Sequence, residues 1–116
     1  MSFAVTVEKP STAVYVIAPA GELDAYRAPD VRTEVVRVIE AGAAVVVCDL
    51  TAVTFLDSSG LGVLIGALKR LRERGGELYV VPGKAGRRIL ELTALDRVVK
   101  LYESRDAALA AAAGRR

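Results

Sequence analysis

The hydrophobic and polar positions near the start of the chain predict two strands. Residues 3–8 alternate apolar and polar side chains, as in a strand with one buried face. Residues 13–18 are rich in β-branched side chains, and the segment between the two runs, residues 9–12, carries turn residues. We therefore expect an antiparallel hairpin here.

Two later segments show apolar residues at helical spacing. Pro29 suits the first turn of a helix whose apolar side chains recur at i, i+4, i+7 and i+8, and Gly42 ends it. A second pattern starts at Leu61 and runs into basic residues before Gly75-Gly76, where positive charge suits the end of a helix. Both patterns predict amphipathic helices.

The hydrophobic pattern of the remaining segments predicts an α/β fold. Residues 43–50 form an almost continuous apolar run, which is typical of a strand covered on both faces. Strands are also predicted at 77–81 and 98–102, and helices at 85–93 and 105–113. The order β-β-α-β-α-β-α-β-α predicts a central mixed sheet, with an N-terminal hairpin and then parallel strands. About four helices flank it, mainly on one side.

Length and composition narrow the class of protein. A chain of 116 residues, 53% of them hydrophobic, is expected to form one domain over residues 1–116. It has no apolar run of about 18 residues and no secretion-signal pattern, so we expect no membrane insertion. The lone Cys48 excludes an internal disulfide and is compatible with a cytoplasmic location, which we predict.

The ionisable residues exclude several kinds of site. The chain has no histidine, which removes Ser-His-Asp and Cys-His nucleophiles and the usual zinc ligand sets. Sixteen basic residues stand against fourteen acidic ones, a balance that predicts no direct nucleic-acid binding. Composition therefore removes enzyme classes without identifying a function.

One segment could carry chemistry. Residues 57–62 read Asp-Ser-Ser-Gly-Leu-Gly after an apolar strand and at the start of a helix. In a purely structural interpretation, a hydroxyl of Ser58 or Ser59 caps the helix, while Gly60 and Gly62 permit close packing. In a functional interpretation, one serine is an exposed phosphate acceptor, and unpaired N–H groups at the helix start tolerate the phosphate.

A phosphate at such a position would act on a partner more than on the fold. It adds about −1.5 to −2 charges. At ~6 Å from a partner carboxylate, with an effective dielectric constant of ~20, one charge pair costs about 2.8 kcal/mol. Even after screening, two charges would shift an affinity by about tenfold or more.

Residues 57–62, together with residues 21–24 (Gly-Glu-Leu-Asp) and Ala28-Pro29, resemble the STAS domain of bacterial anti-sigma factor antagonists. The resemblance covers essentially the whole chain, including its length and element order. One departure is Ala94, where many relatives carry glycine, and it bears only on how the preceding helix ends.

The resemblance implies a phosphorylation-controlled binding protein rather than an enzyme, with no cofactor and no metal. Such proteins, when unphosphorylated, capture an anti-sigma factor that is also a serine kinase, and the sigma factor goes free. The kinase phosphorylates the serine after the Asp, here Ser58, and a PP2C-type phosphatase resets the cycle. The implied partner-binding residues are Asp24, Asp57, Ser59, Gly60, Leu61 and Gly62.

Enzymatic and ligand-binding interpretations of these residues are weaker. Gly60, Gly62 and Gly66 miss the dinucleotide fingerprint, because the third glycine comes one residue late. Ser58 has no base to make it a hydrolase nucleophile, since Lys69 lies roughly 16 Å along the helix.

Metal, thiol and same-fold alternatives complete the set. Two carboxylates, Asp24 and Asp57, are few ligands for an octahedral magnesium site. Cys48 lies in mid-strand, which favours a role in core packing over a role as a nucleophile. The main alternative shares the fold. It is a soluble STAS subunit of a lipid or anion transport system, or of a stress-signalling complex, in which Ser58 is regulatory or inert.

Overall fold

In the computed structural model, which describes residues 2–115, strands and helices largely alternate after the first hairpin. The strands are β1 (Ala4–Ser11), β2 (Val14–Leu23), β3 (Val45–Asp49), β4 (Val53–Leu56), β5 (Glu77–Val81) and β6 (Lys100–Leu101). The helices are α1 (Ala28–Glu40), α2 (Ser58–Glu73), α3 (Gly83–Leu92) and α4 (Arg105–Ala113), with a 3₁₀ turn at Leu95–Arg97.

The strands form one mixed sheet in the order β1-β2-β3-β5-β6. β1 pairs antiparallel with β2, and the other pairs are parallel. β4 lies off this path and pairs with the C-terminal end of β2. The predicted α/β class, with an N-terminal hairpin followed by parallel strands, is confirmed.

β4 is the element that the predicted order lacks. β2 extends to Leu23, five residues beyond the run at 13–18 that predicts the strand, and it passes through Pro19 and Gly21. β3 pairs with the first part of β2 up to Ile17, and β4 begins its pairing at Gly21. Pro19 therefore lies in the gap between the two parallel partners, while it stays paired with Val5 of β1 on the other side of the strand.

Two hydrophobic layers cover the two faces of the sheet. The larger layer joins β2, β3 and β5 to α1, α2 and α3, and includes the fully buried Ile17, Leu50, Leu71 and Leu90. The smaller layer lies under α4, which contributes only Ala108 and Ala112 as buried residues (the sheet contributes Val14, Val16, Val45, Val47, Tyr79 and Val81). The expectation of helices mainly on one side is correct.

Candidate functional site

The candidate site forms where β2 and β4 end together. Leu23 and Leu56 are parallel partners in register, and both side chains are buried. Asp24 and Asp57 follow them directly, so the pairing brings the two carboxylates to the same edge of the sheet. Parallel neighbours end at one edge, which places the β2–α1 loop beside the start of α2.

Asp57 caps helix α2. Its backbone is extended, with φ −110° and ψ −170°, and its Oδ1 accepts hydrogen bonds from the N–H groups of Ser59 at 2.9 Å and Gly60 at 3.3 Å. The expectation of a serine cap is therefore wrong. The helix begins at Ser58, three residues before Leu61, because a carboxylate in the residue before it already serves the second and third N–H groups.

Ser58 is consequently the first residue of the helix, and its side chain is exposed. Within residues 2–115 its hydroxyl forms no hydrogen bond, and neither does that of the half-buried Ser59. From the sequence, a phosphate on Ser58 is expected to meet unpaired N–H groups at the helix start. The structure shows that some of these groups already have an acceptor. Since Asp57 occupies two of them, the added charge would stand beside a carboxylate and face outward.

The two nearby glycines have different roles. A Cβ on Gly60 would overlap Leu56 Cδ1 and lie 3.1 Å from Leu23 Cγ and 3.2 Å from the Leu23 carbonyl oxygen. Gly60 therefore lets the start of α2 pack against the ends of β2 and β4. A Cβ on Gly62 would meet nothing within 4 Å, so the close-packing interpretation is wrong for this residue.

Leu61 lies in the core and is 8% exposed, so its side chain anchors the helix beneath the site instead of facing a partner. Gly60 is also buried. Of the residues that the sequence groups with the acceptor, Ser58 and Gly62 are exposed, and Asp24, Asp57 and Ser59 are half-buried.

Asp24 organises the loop between β2 and α1. Its Oδ1 accepts hydrogen bonds from the N–H groups of Tyr26 at 3.1 Å and Arg27 at 3.0 Å, and its Oδ2 lies 3.4 Å from the Arg27 guanidinium. The Arg27 guanidinium also lies over the rings of Phe3 and Tyr26, 5.8 Å and 5.7 Å from their centres. The carboxylate thereby fixes the shape of the loop beside Ser58.

The structure also exposes an aromatic residue that the sequence did not mark. Phe55 of β4 is 48% exposed, although it belongs to an apolar run. It lies opposite Glu22, whose side chain is exposed too. Only the pairing of β4 with the far end of β2 reveals that this face of the strand is uncovered.

Cys48 is a core residue, as expected. It is 3% exposed, and burial together with the neighbouring charge of Asp49 raises the pKa of its thiol to about 12. A thiol with such a pKa is protonated at neutral pH and is a poor nucleophile. No helix within the described range is long and apolar enough to cross a bilayer.

Comparison with known proteins places these features in context. A family model described as the STAS domain matches residues 4–108. An anti-sigma-B factor antagonist of Listeria monocytogenes is 38% identical over 104 residues, covering 87% of this chain and 90% of the relative.

Solved structures of anti-sigma factor antagonists have a fold similar to that of this chain. An anti-sigma factor antagonist from Mycobacterium paratuberculosis matches with a TM-score of 0.85 and 36% identity, over 95% of this chain and 93% of that one. SpoIIAA, an anti-sigma factor antagonist, in its unphosphorylated form shares the fold with a TM-score of 0.83 at 22% identity, covering 97% of this chain and 99% of its own.

Proposed function

The chain belongs to the STAS domain family, and we propose that it acts as an anti-sigma factor antagonist whose binding is switched by phosphorylation of Ser58. Its unphosphorylated form binds an anti-sigma factor and thereby frees a sigma factor. The chain is a binding protein in this scheme. The phosphoryl chemistry belongs to its partners, a serine kinase identical with the anti-sigma factor and a PP2C-type phosphatase.

The observation that carries the proposal is the position of Ser58. An exposed hydroxyl at the first residue of a helix, with no hydrogen-bond partner in residues 2–115, is free to enter a kinase active site. Burial of Leu61 and close packing at Gly60 hold the helix start in place without involving that hydroxyl. Phosphate can therefore be added with little change to the fold.

The charge around Ser58 favours release of the partner on phosphorylation. Asp57 Oδ1 already accepts hydrogen bonds from two N–H groups at the helix start, those of Ser59 and Gly60, which reduces what is left to neutralise an added anion. The phosphate, about −1.5 to −2 charges, would then act on whatever faces the site. With one partner carboxylate at ~6 Å, the repulsion of about 2.8 kcal/mol per charge pair exceeds the free energy of about 1.4 kcal/mol that corresponds to a tenfold change in affinity.

The test measures both phosphorylation and binding. The chain is incubated with ATP and each serine-kinase anti-sigma factor encoded in the genome of its source organism, and the product is analysed by intact mass and site mapping. We expect one phosphate, on Ser58. Ser58→Ala should accept none, and Ser59→Ala should still be modified.

Binding of the same anti-sigma factor is then measured by calorimetry. Ser58→Asp should weaken it by about tenfold or more, while Ser58→Ala should bind like the unmodified chain. Ser104→Asp is the matched control, because it adds the same charge at the start of another helix, α4, and should leave binding unchanged. Equal affinities for Ser58→Asp and Ser58→Ala would contradict the switch. Exclusive binding to a membrane transport complex would favour the alternative.

A further inference from the structure

Two exposed aromatic side chains belong to the segments that form the candidate site. In the described part of the chain, four large hydrophobic side chains are markedly exposed, and two of them lie in these segments: Tyr26 (85%) in the β2–α1 loop and Phe55 (48%) in β4. The other two are Leu92 and Val98, on α3 and near the 3₁₀ turn. Single exposed apolar residues are ordinary on protein surfaces, but aromatic residues are enriched among the residues that dominate protein interfaces, and here two of them belong to the segments that meet at one candidate site.

The strand pairing joins the two aromatic residues to Ser58. Phe55 is three residues before Ser58 and lies opposite Glu22 on β2. Tyr26 is three residues after Leu23, whose carbonyl oxygen would lie 3.2 Å from a Cβ on Gly60. The end of β2 and the start of α2 are therefore in contact, and both aromatic residues belong to the segments that meet there.

Tyr26 is held in place before any partner binds. Asp24 accepts a hydrogen bond from its N–H group, and the Arg27 guanidinium lies 5.7 Å from the centre of its ring. An aromatic side chain with a fixed backbone and few rotatable bonds loses little conformational entropy on binding. Its solvent-facing ring is therefore well prepared to enter an apolar pocket.

The charges of the two segments specify the chemistry around such a pocket. Residues 22–27 and 53–58 carry three carboxylates, Glu22, Asp24 and Asp57, against one basic side chain, Arg27, which already pairs with Asp24. Acidic groups around apolar contacts are complementary to basic groups on the other protein. The partner surface should therefore combine apolar pockets with lysine or arginine at their rims.

We infer that Tyr26 and Phe55 are the aromatic anchors by which the chain holds its anti-sigma factor, and that the anti-sigma factor receives them in apolar pockets bordered by basic residues. This inference rests on the proposed function and deepens it. Phosphate on Ser58 then stands on the segment that follows Phe55, and the cost of desolvating it opposes closure of the apolar contacts that the anchors make.

The experiment compares four variants against the anti-sigma factor that binds the unmodified chain. Tyr26→Ala and Phe55→Ala should each weaken binding by about tenfold or more, as alanine substitutions of interface aromatics commonly do. Tyr26→Phe should retain most of the affinity, because the ring remains. Leu92→Ala, which removes a side chain that is 72% exposed elsewhere, should bind unchanged. Thermal unfolding of each variant verifies that these surface changes leave the fold intact.

The outcomes separate this inference from the function on which it rests. If the unmodified chain binds and Ser58→Asp still weakens binding, but both alanine variants bind normally, the anchor role is wrong and the switch stands. If no anti-sigma factor binds the unmodified chain, both ideas fail. Basic groups on the partner would be supported if association is faster at low salt and if this acceleration is reduced in the Glu22→Gln variant.

Discussion

Helices α2 and α4 begin in the same way but use their first residue differently. Each follows an extended residue whose side chain accepts hydrogen bonds from the first turn, Asp57 for α2 and Ser104 for α4. The first helical residue of α2 is the exposed Ser58. That of α4 is Arg105, a cation at the positive end of a helix dipole, which is an unfavourable place for it.

Arg105 holds α4 to the sheet. Its Nε donates to Asp49 Oδ2 at 2.9 Å, and its NH1 group to Glu8 Oε2 at 2.6 Å. At the other end of the helix, Arg115 donates to Glu77 at 2.8 Å and to the Gly75 carbonyl oxygen at 2.7 Å. Only Ala108 and Ala112 of α4 are fully buried, with Leu109 and Ala111 packed partly against the same layer, so these ionic contacts add to a small apolar contact.

Helix α2 needs no such attachment at its start. It buries seven residues, of which all but Gly60 belong to the larger hydrophobic layer (Leu61, Val63, Leu64, Ala67, Leu68 and Leu71). The comparison teaches that a helix anchored by apolar packing can leave its first residue to a partner. In α4, whose two fully buried side chains are alanines, the first residue instead pairs with carboxylates of the sheet.

The largest expected effect concerns the packing that leaves Ser58 free. Gly60→Ala inserts a methyl group against Leu56 and Leu23, and overpacking of this kind costs about 1–3 kcal/mol. Gly62→Ala enters open space on the same helix, where alanine is favoured over glycine by up to about 1 kcal/mol. Because the preference for alanine applies to both helical positions and cancels, we expect the two variants to differ by the overpacking cost, about 1–3 kcal/mol in the free energy of unfolding.

Urea unfolding of both variants measures this difference. The pair is well matched, because each change adds one methyl group to the first two turns of α2. Equal stabilities would mean that the start of α2 is not anchored by close packing, and the contrast with α4 would then lose its basis.

Much of this arrangement could be predicted from the sequence. The alternation in residues 3–8, the β-branched run that follows and the apolar run at 43–50 specify the hairpin and the central strand, because side-chain periodicity follows the geometry of each element. The segment of the candidate site was recognisable too, since Asp57 and two serines stand between an apolar strand and an apolar helical stripe.

The remaining features depend on contacts between distant residues. Whether Asp57 or a serine caps α2 depends on where the helix begins, which sequence locates only within a few residues. The exposure of Phe55 follows from the pairing of β4 with β2. Ala94 has φ +59°, so α3 is followed by a left-handed residue without the glycine that commonly occupies such a position.

The second prediction tests the ionic attachment of α4. Arg105→Ala leaves the carboxylate of Asp49, 6% exposed, with only its hydrogen bonds from Thr51. We expect a loss of about 1–2 kcal/mol, less than for a fully buried pair because the Arg105 side chain is 33% exposed. Urea unfolding at neutral pH measures it. The corresponding loss at α2, for Ser58→Ala, should be close to zero.

Low pH should reduce the stability difference between the unmodified chain and Arg105→Ala. Burial by itself raises the pKa of Asp49, but hydrogen bonds from Thr51 and Arg105 outweigh it and hold the pKa below its ordinary value. As the pH falls below about 4, Asp49 is therefore protonated in the unfolded chain before it is protonated in the folded chain. The stability that Asp49 contributes is complete above that pH and is lost as the pH falls through the lower, folded-state pKa. The difference between the unmodified chain and Arg105→Ala should narrow there. A constant difference down to about pH 2 would exclude this linkage.

The smallest effects distinguish the two caps. Asp57→Ala and Ser104→Ala should each reduce stability by about 1 kcal/mol, because each leaves first-turn N–H groups without an acceptor. Asp57→Asn keeps the acceptor oxygen and should be nearly as stable as the unmodified chain, while it removes one of the site's carboxylates. If Asp57 also serves recognition, this variant should bind the anti-sigma factor more weakly, and Ser104→Ala should bind normally. Calorimetry on the two variants decides the matter: normal binding by Asp57→Asn would reduce Asp57 to a structural cap, equivalent to Ser104, and leave Ser58 as the functional difference between the two helix starts.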